Sequence, residues 1–233
     1  MNLRRPLLLR LTTSVVAAAW LTWSPPARAG GDRKAPNLRR DPKVIKLDRR
    51  QAMLVPLTIH VARGRESRAE TMHRIRLAVA RANEALEPHG LTAVVHKVWI
   101  MPSGYSEITS RRAHRRLADY APVDGTVHVF LVDRLELGSV FAKDRGVRGM
   151  HWRYRGLSKR LQGRQYVVVN VDAPSTTLVH ELGHLFGLGH DRGRHNLMCS
   201  CRRGVQYFSV SQGFVMRREA RSYFRDGLRI GIR

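Results

Sequence analysis

Apolar and polar positions switch between two periods along this chain, and the switches mark its elements. Residues 53–62 (MLVPLTIHVA) form a β-rich apolar run with Pro56 near its start, which predicts a strand with an irregular beginning. In residues 67–87 the apolar positions Met72, Ile75, Val79, Ala82 and Leu86 recur at helical spacing, and Pro88 and Gly90 close the segment. Residues 91–101 (LTAVVHKVWIM) read as a second strand, broken by Pro102, Ser103 and Gly104, and 106–119 as a short basic helix. Residues 125–135 (GTVHVFLVDRL) are almost continuously apolar, as expected of a strand covered on both faces. The glycine-rich stretch 137–164 reads as loop with one edge strand at 147–154. Residues 165–171 (QYVVVNV) follow as a β-branched strand. Pro174 ends it, and Ser175 is placed to cap the next helix. Residues 209–224 form a last helix with Val210, Phe214, Val215 and Tyr223 as its core candidates. The order is that of an α/β domain with a mixed twisted sheet, a long helix, a second helix carrying the chemistry, and a small helical C-terminal half. A helix joining the first two strands suits parallel pairing.

Length and composition narrow the class. A chain of 233 residues with 43% hydrophobic content supports one substantial packed domain. The formal charge is +24, but 36 of the 42 basic residues are Arg, spread along the whole chain. Unclustered charge specifies steering and solubility rather than a partner, so no nucleic acid is expected. Residues 1–29 have the pattern of an export signal: Arg4, Arg5 and Arg10, then a short apolar run, then Ala27-Arg28-Ala29 as a cleavage site. Twin-arginine and general secretory export fit equally well. Cleavage after Ala29 removes four Arg and no acid, leaving +20. The apolar run is too short for a stable anchor, so a secreted or periplasmic protein is expected. Residues 30–51, polar and Arg-rich, read as an exposed extension, leaving 52–233 as the domain.

The chemistry sits in residues 180–190, HELGHLFGLGH. His180 and His184 are four apart, so on a helix both imidazoles lie on one face and can reach one ion. Glu181 stands beside the first of them, placed to act on a bound water rather than to bind metal. Gly187 can turn the chain in a left-handed conformation, bringing His190 round as a third nitrogen. Three protein ligands with one open position describe a catalytic zinc site, where a structural site is closed by four.

The string matches HExxHxxGxxH, and Met198 follows in His195-Asn196-Leu197-Met198. On these residues the chain resembles the metzincin zinc metallopeptidases over residues 53–226. The GxxHD ending is similar to adamalysins, and HELGH and GLGH to matrixins. The resemblance implies a metalloendopeptidase acting on protein or peptide substrates. Zn2+ held by His180, His184 and His190 would lower the pKa of a bound water to about 7. Glu181 would be the general base. The edge strand would bind extended substrate, Met198 would pack beneath the ligand rings, and residues 199–208 would line the pocket beside the cleaved bond.

Several assignments stay open at this point. Met198 is either that floor or ordinary core, and Asp191 either braces the turn after His190 or is solvated. His195 falls outside the ligand spacing and reads as a loop residue. Ser200 stands where some metzincins carry a metal-reaching Tyr, so no fifth ligand is expected there. Cys199 and Cys201 form a bridge across one residue, stay as buried thiols, or pair between molecules. The alternative function is a catalytically vestigial exported protein whose arginines, Arg111 to Arg116 above all, bind an anionic envelope polymer.

Overall fold

Strand β1 (Met53–Val61) is the point from which the sheet grows in both directions. In this computed structural model, residues 52–62, 67–102, 104–136, 148–199 and 206–230 are described. The proposed export signal and the extension up to residue 51 lie outside them, as do residues 137–147 and 200–205. The 19-residue helix α1 (Arg68–Leu86) returns the chain from β1 to β2 (Leu91–Ile100), which pairs with β1 in parallel as expected. Ser67 and Glu70 start that helix with a reciprocal capping box: Ser67 Oγ accepts from Glu70 N at 3.3 Å, and Glu70 Oε2 accepts from Ser67 N at 2.8 Å. Its buried stripe is Ile75, Ala82 and Leu86, with Met72 and Val79 packed at the margin. Asn83 then ties the helix to β2, its side-chain amide exchanging hydrogen bonds with both backbone groups of Ala93.

The next stretch departs from the sequence expectation. Helix α2 is shorter than 106–119, running Arg111–Leu117, because Ser110 rather than a residue near 106 caps it, accepting from Ala113 N at 3.2 Å. The residues before it form a two-residue strand β3 (Glu107–Ile108) instead. The apolar run 125–135 also divides, into β4 (Val127–Val132) and β5 (Arg134–Leu135). The break is Asp133: its N–H and that of Arg134 both turn to Ser106 O, which peels β5 away to pair with β3. Strand β6 (Gly149–Arg153) and β7 (Gln165–Asn170) close the sheet. The order is β2-β1-β4-β7-β6, four strands parallel and β6 antiparallel at the edge.

The two faces of the sheet bury different layers. Val55, Leu57, Ile59, Val127, Val129, Val167 and Val169 meet α1, helix α3 (Thr177–Leu185) and helix α4 (Val210–Ile230). Phe130, Val132, Tyr166 and Val168 meet Leu117 of α2, with Ile108 and Leu161. Helix α4 shows a second departure. Val215 and Tyr223 do pack at the core margin, but Val210 is 67% exposed and Phe214 63%. The buried stripe is Gly213, Met216 and Ala220, and Gly213 approaches the ring of His89 so closely that a Cβ would collide with it. Close approach requires glycine at 213, and hydrophobicity alone points to the wrong face. No described helix is long and apolar enough to cross a membrane.

A polar chain lies on the α2 face of the sheet. His60 Nε2 meets His128 Nδ1 at 2.9 Å, and His128 Nε2 meets Asp124 Oδ1 at 3.2 Å. Burial, then the neighbouring His128, pushes the His60 imidazole down to about 3. The unfolded chain therefore binds the extra proton below about pH 6.5, and stability falls as the pH is lowered toward 3. This one site is expected to cost about 2 kcal/mol between pH 7 and pH 5. Asp124 acts in a lower window: partial burial raises it, but His128 and Thr126 outweigh that and hold it at about 2. Its stabilisation is complete above pH 4 and fades as the pH falls through 2. Denaturant midpoints at pH 7 and pH 5 test the first effect. His60→Gln keeps a hydrogen-bonding side chain without the titration and should flatten the slope by that amount. An unchanged slope would contradict it.

Candidate metal centre

Helix α3 is apolar or buried along almost its whole length, with Thr177 through Gly183 and Leu185 all buried. A helix buried at every position but His184 must be surrounded on most sides, here by the sheet, β6 and the chain that follows. Ser175 does not cap it. Thr176 is the N-cap and makes no side-chain cap bond, and the first turn is satisfied by backbone instead, Thr177 N donating to Pro174 O at 2.8 Å.

The three histidines converge. One ring nitrogen from each of His180, His184 and His190 lies within 4.8 Å of the others. Helical spacing sets the first two, their rings 4.7 Å apart and nearly perpendicular. The third arrives because the helix stops at once. Gly187 takes φ +84°, and Leu188 N donates back to Gly183 O at 2.9 Å, closing the C-terminus with a left-handed turn. A Cβ on Gly187 would also press on Glu219 of α4, at 3.0 Å from Cγ. The motif glycine therefore serves both the turn and the packing of α4.

Backbone carbonyls fix two of the rings. His180 Nδ1 donates to Leu197 O at 2.6 Å, and His184 Nδ1 to Leu188 O at 2.8 Å. With Nδ1 protonated, each neutral ring carries its acceptor lone pair on Nε2, the tautomer a metal needs. His184 Nε2 then faces His190 Nε2 at 3.2 Å. Neutral nitrogens directed at one point, with their outer N–H groups held, fit a borderline-soft divalent cation such as zinc. The burial is graded, His180 buried, His184 half-buried and His190 exposed, so the centre is open on one side.

Met198 forms the floor. It is fully buried, and a Cβ on Gly183 would lie 2.6 Å from its Sδ. Only glycine at the fourth motif position leaves room for that thioether against the helix. Asn196 holds the turn: its Oδ1 accepts from Met198 N at 2.8 Å, and its Nδ2 donates to Gln212 Oε1 at 2.9 Å. Gln212 and Ser209 exchange side-chain bonds at the start of α4, so the last helix is bolted to the floor. Asp191 braces the turn after His190, accepting from Gly193 N at 2.7 Å, while its own N–H donates to Met198 O at 3.1 Å. His195 is exposed and outside the triad. Cys199 is buried and disulfide-bonded; Cys201 lies outside the described residues, as do positions 200–205 of the expected pocket wall.

Glu181 is 5% exposed and lies against the edge strand. A Cβ on Gly149 would sit 3.0 Å from its Oε1 and 2.5 Å from Thr177 Cγ2, so β6 reaches the helix only because glycine stands there. The edge strand Gly149–Arg153 falls within the expected 147–154, of which Val147 lies outside the described residues. Two residues on, burial lowers His151 to about 4 against the upward pull of its hydrogen bond to Gln165. The carbonyls of Leu188 and Leu197, the Asn196–Gln212 clamp and Gly149 leave no mark in the motif. Gly183 occupies a variable position of HExxHxxGxxH, so the motif does not mark its packing role.

Comparison with known proteins agrees with the geometry. A family model described as metallo-peptidase family M12 matches residues 49–224. Among solved structures, metalloproteinase-II from Bacteroides fragilis is similar in fold at 15% identity and a TM-score of 0.50. The match covers 72% of this chain and 53% of that one, so the chain spans about half its length. Archaemetzincin from Methanopyrus kandleri matches at 19% identity and a TM-score of 0.45, over 72% of this chain and 96% of that one. No curated protein sequence matches the chain.

Proposed function

The chain belongs to metallopeptidase family M12, and on that premise we propose that it is an exported zinc metalloendopeptidase with Glu181 as its general base. The observation that carries this reading is the convergence of His180, His184 and His190 within 4.8 Å, beside a buried Glu181 on the same helix. Zinc, when bound by the three histidines, supplies a Lewis acid for the scissile carbonyl and an acidified water as nucleophile. Glu181 takes the proton of the attacking water and delivers it to the departing amine. The Leu197 and Leu188 carbonyls hold the ligand rings in one tautomer throughout. Strand β6 ends the sheet, so its outward backbone groups can pair with an extended peptide and lay the scissile bond beside Gly149 and Glu181. Membership of a peptidase family implies peptide or protein substrates; the edge position of β6, along which an extended chain can lie, is what supports internal cleavage. Export rests on residues 1–29 and their Ala27-Arg28-Ala29 site.

Peptide-library cleavage read by mass spectrometry tests the proposal. Internal cleavage should appear with the purified protein, disappear after chelation and return with zinc. Cleavage that survives chelation, or none in the zinc-loaded protein, would overturn it.

A further inference from the structure

A cavity of about 380 Å³ opens between α2 and the far end of β6. Arg111 and Arg115 line it from the helix, and Trp152, Arg153 and Arg155 from the strand and its continuation. Among the described residues no acidic side chain lines it, and none of the four arginines forms an ion pair. Its wall is rigid. Trp152 stacks on Tyr166 with ring centroids 4.8 Å apart, and the Tyr166 hydroxyl donates to His114 O at 2.6 Å. Tyr154 is held over Gly156, its hydroxyl accepting from Ser158 N at 2.8 Å.

His114 adds a buried boundary to the cavity. It is 4% exposed and lines the cavity. Its Nε2 is engaged by Glu136 O at 3.2 Å, while its Nδ1 is buried without a hydrogen-bond partner. Guanidinium groups gathered at one cavity repel one another, and an anionic group that enters relieves the repulsion. A carboxylate does so, accepting from the guanidinium N–H groups.

Position in the fold identifies what brings the carboxyl. Gly149, at the start of β6, touches Glu181, and the strand then runs away from the centre toward Arg153. A peptide added antiparallel, the pairing with the more stable ladder, runs from the Arg153 end toward Gly149. Its residues N-terminal to the scissile bond therefore lie along 151–155, and alternate side chains face α2. We propose that this cavity is a substrate subsite for an acidic side chain, about three to five residues N-terminal to the cleaved bond. The proposal rests on the peptidase reading and gives it a substrate class, peptides acidic upstream of the cut. Of the Arg111 to Arg116 cluster, only Arg111 and Arg115 line the cavity; Arg116 lies over the Tyr105 ring at 4.6 Å, which divides the cluster expected to bind a polymer.

The test uses the zinc-loaded protein and two peptides with one scissile bond, differing only in Asp and Glu against Asn and Gln at those upstream positions. The acidic peptide should be cleaved about tenfold more efficiently, through KM, as two partly screened ion pairs allow. Arg111→Gln with Arg115→Gln should bring the ratio of the two peptides near one, and Arg115→Glu should reverse it toward a lysine-bearing peptide. Equal cleavage of both peptides by the parent overturns the subsite while leaving the peptidase reading intact. Equal cleavage with strong inhibition by a heparin-type polymer assigns the cavity to an anionic polymer and likewise overturns it. Cleavage of neither peptide overturns the peptidase reading and the subsite with it.

Discussion

Glu181→Gln is expected to lower kcat by about 10²–10⁴-fold while leaving zinc content and KM close to those of the parent. The carboxylate is not among the three converging donors, so its loss removes no ligand. It is 5% exposed and bounded by Gly149, so an isosteric amide fits the same space without opening the strand–helix contact. What the amide cannot do is accept a proton from water and return it to the amine. Steady-state kinetics on one peptide, with metal analysis of the same preparation, reads both halves. A variant that keeps the parent rate would remove Glu181 from the chemistry. One that loses its zinc would mean that the residue holds the site rather than works in it.

Phe186→Ala is expected to destabilise the fold by about 3–5 kcal/mol. Phe186 is fully buried immediately after α3, with the rings of Tyr223 and Phe224 of α4 each 6.4 Å away. Truncation leaves a cavity between the metal-site helix and the helix that anchors its floor through Gln212. Phe214→Ala is the control, because that ring is 63% exposed and its loss should change stability by no more than about 0.5 kcal/mol. Denaturant unfolding of the two variants separates them. Similar costs for both would mean that α4 does not pack by its Gly213, Met216 and Ala220 stripe.

The comparison of Phe186 with Phe214 also shows where the sequence is legible. Local signals survive: the Ser67–Glu70 box, the spacing of Ile75, Ala82 and Leu86, and the run of residues 165–170 each encode an element in adjacent positions. The histidine triad was readable for the same reason, since a helical period and one glycine turn set its geometry. What failed was set by distant partners. Gly213 is buried because His89 lies against it, and Asp133 ends β4 because Ser106 O captures two N–H groups. Gly149 and Gly183 are the same case in the site, since each makes room for a side chain far away in sequence. Hydrophobic periodicity marks the faces that seek cover, and it cannot mark a glycine chosen for how near a neighbour must come.

His180, His184 and His190 are expected together to hold one zinc ion. Metal analysis of the parent beside His184→Ala, each dialysed against buffered zinc, tests it most directly. One zinc per chain is expected in the parent, with a large loss of affinity in the variant. No zinc in the parent, or an undiminished equivalent in the variant, would contradict it.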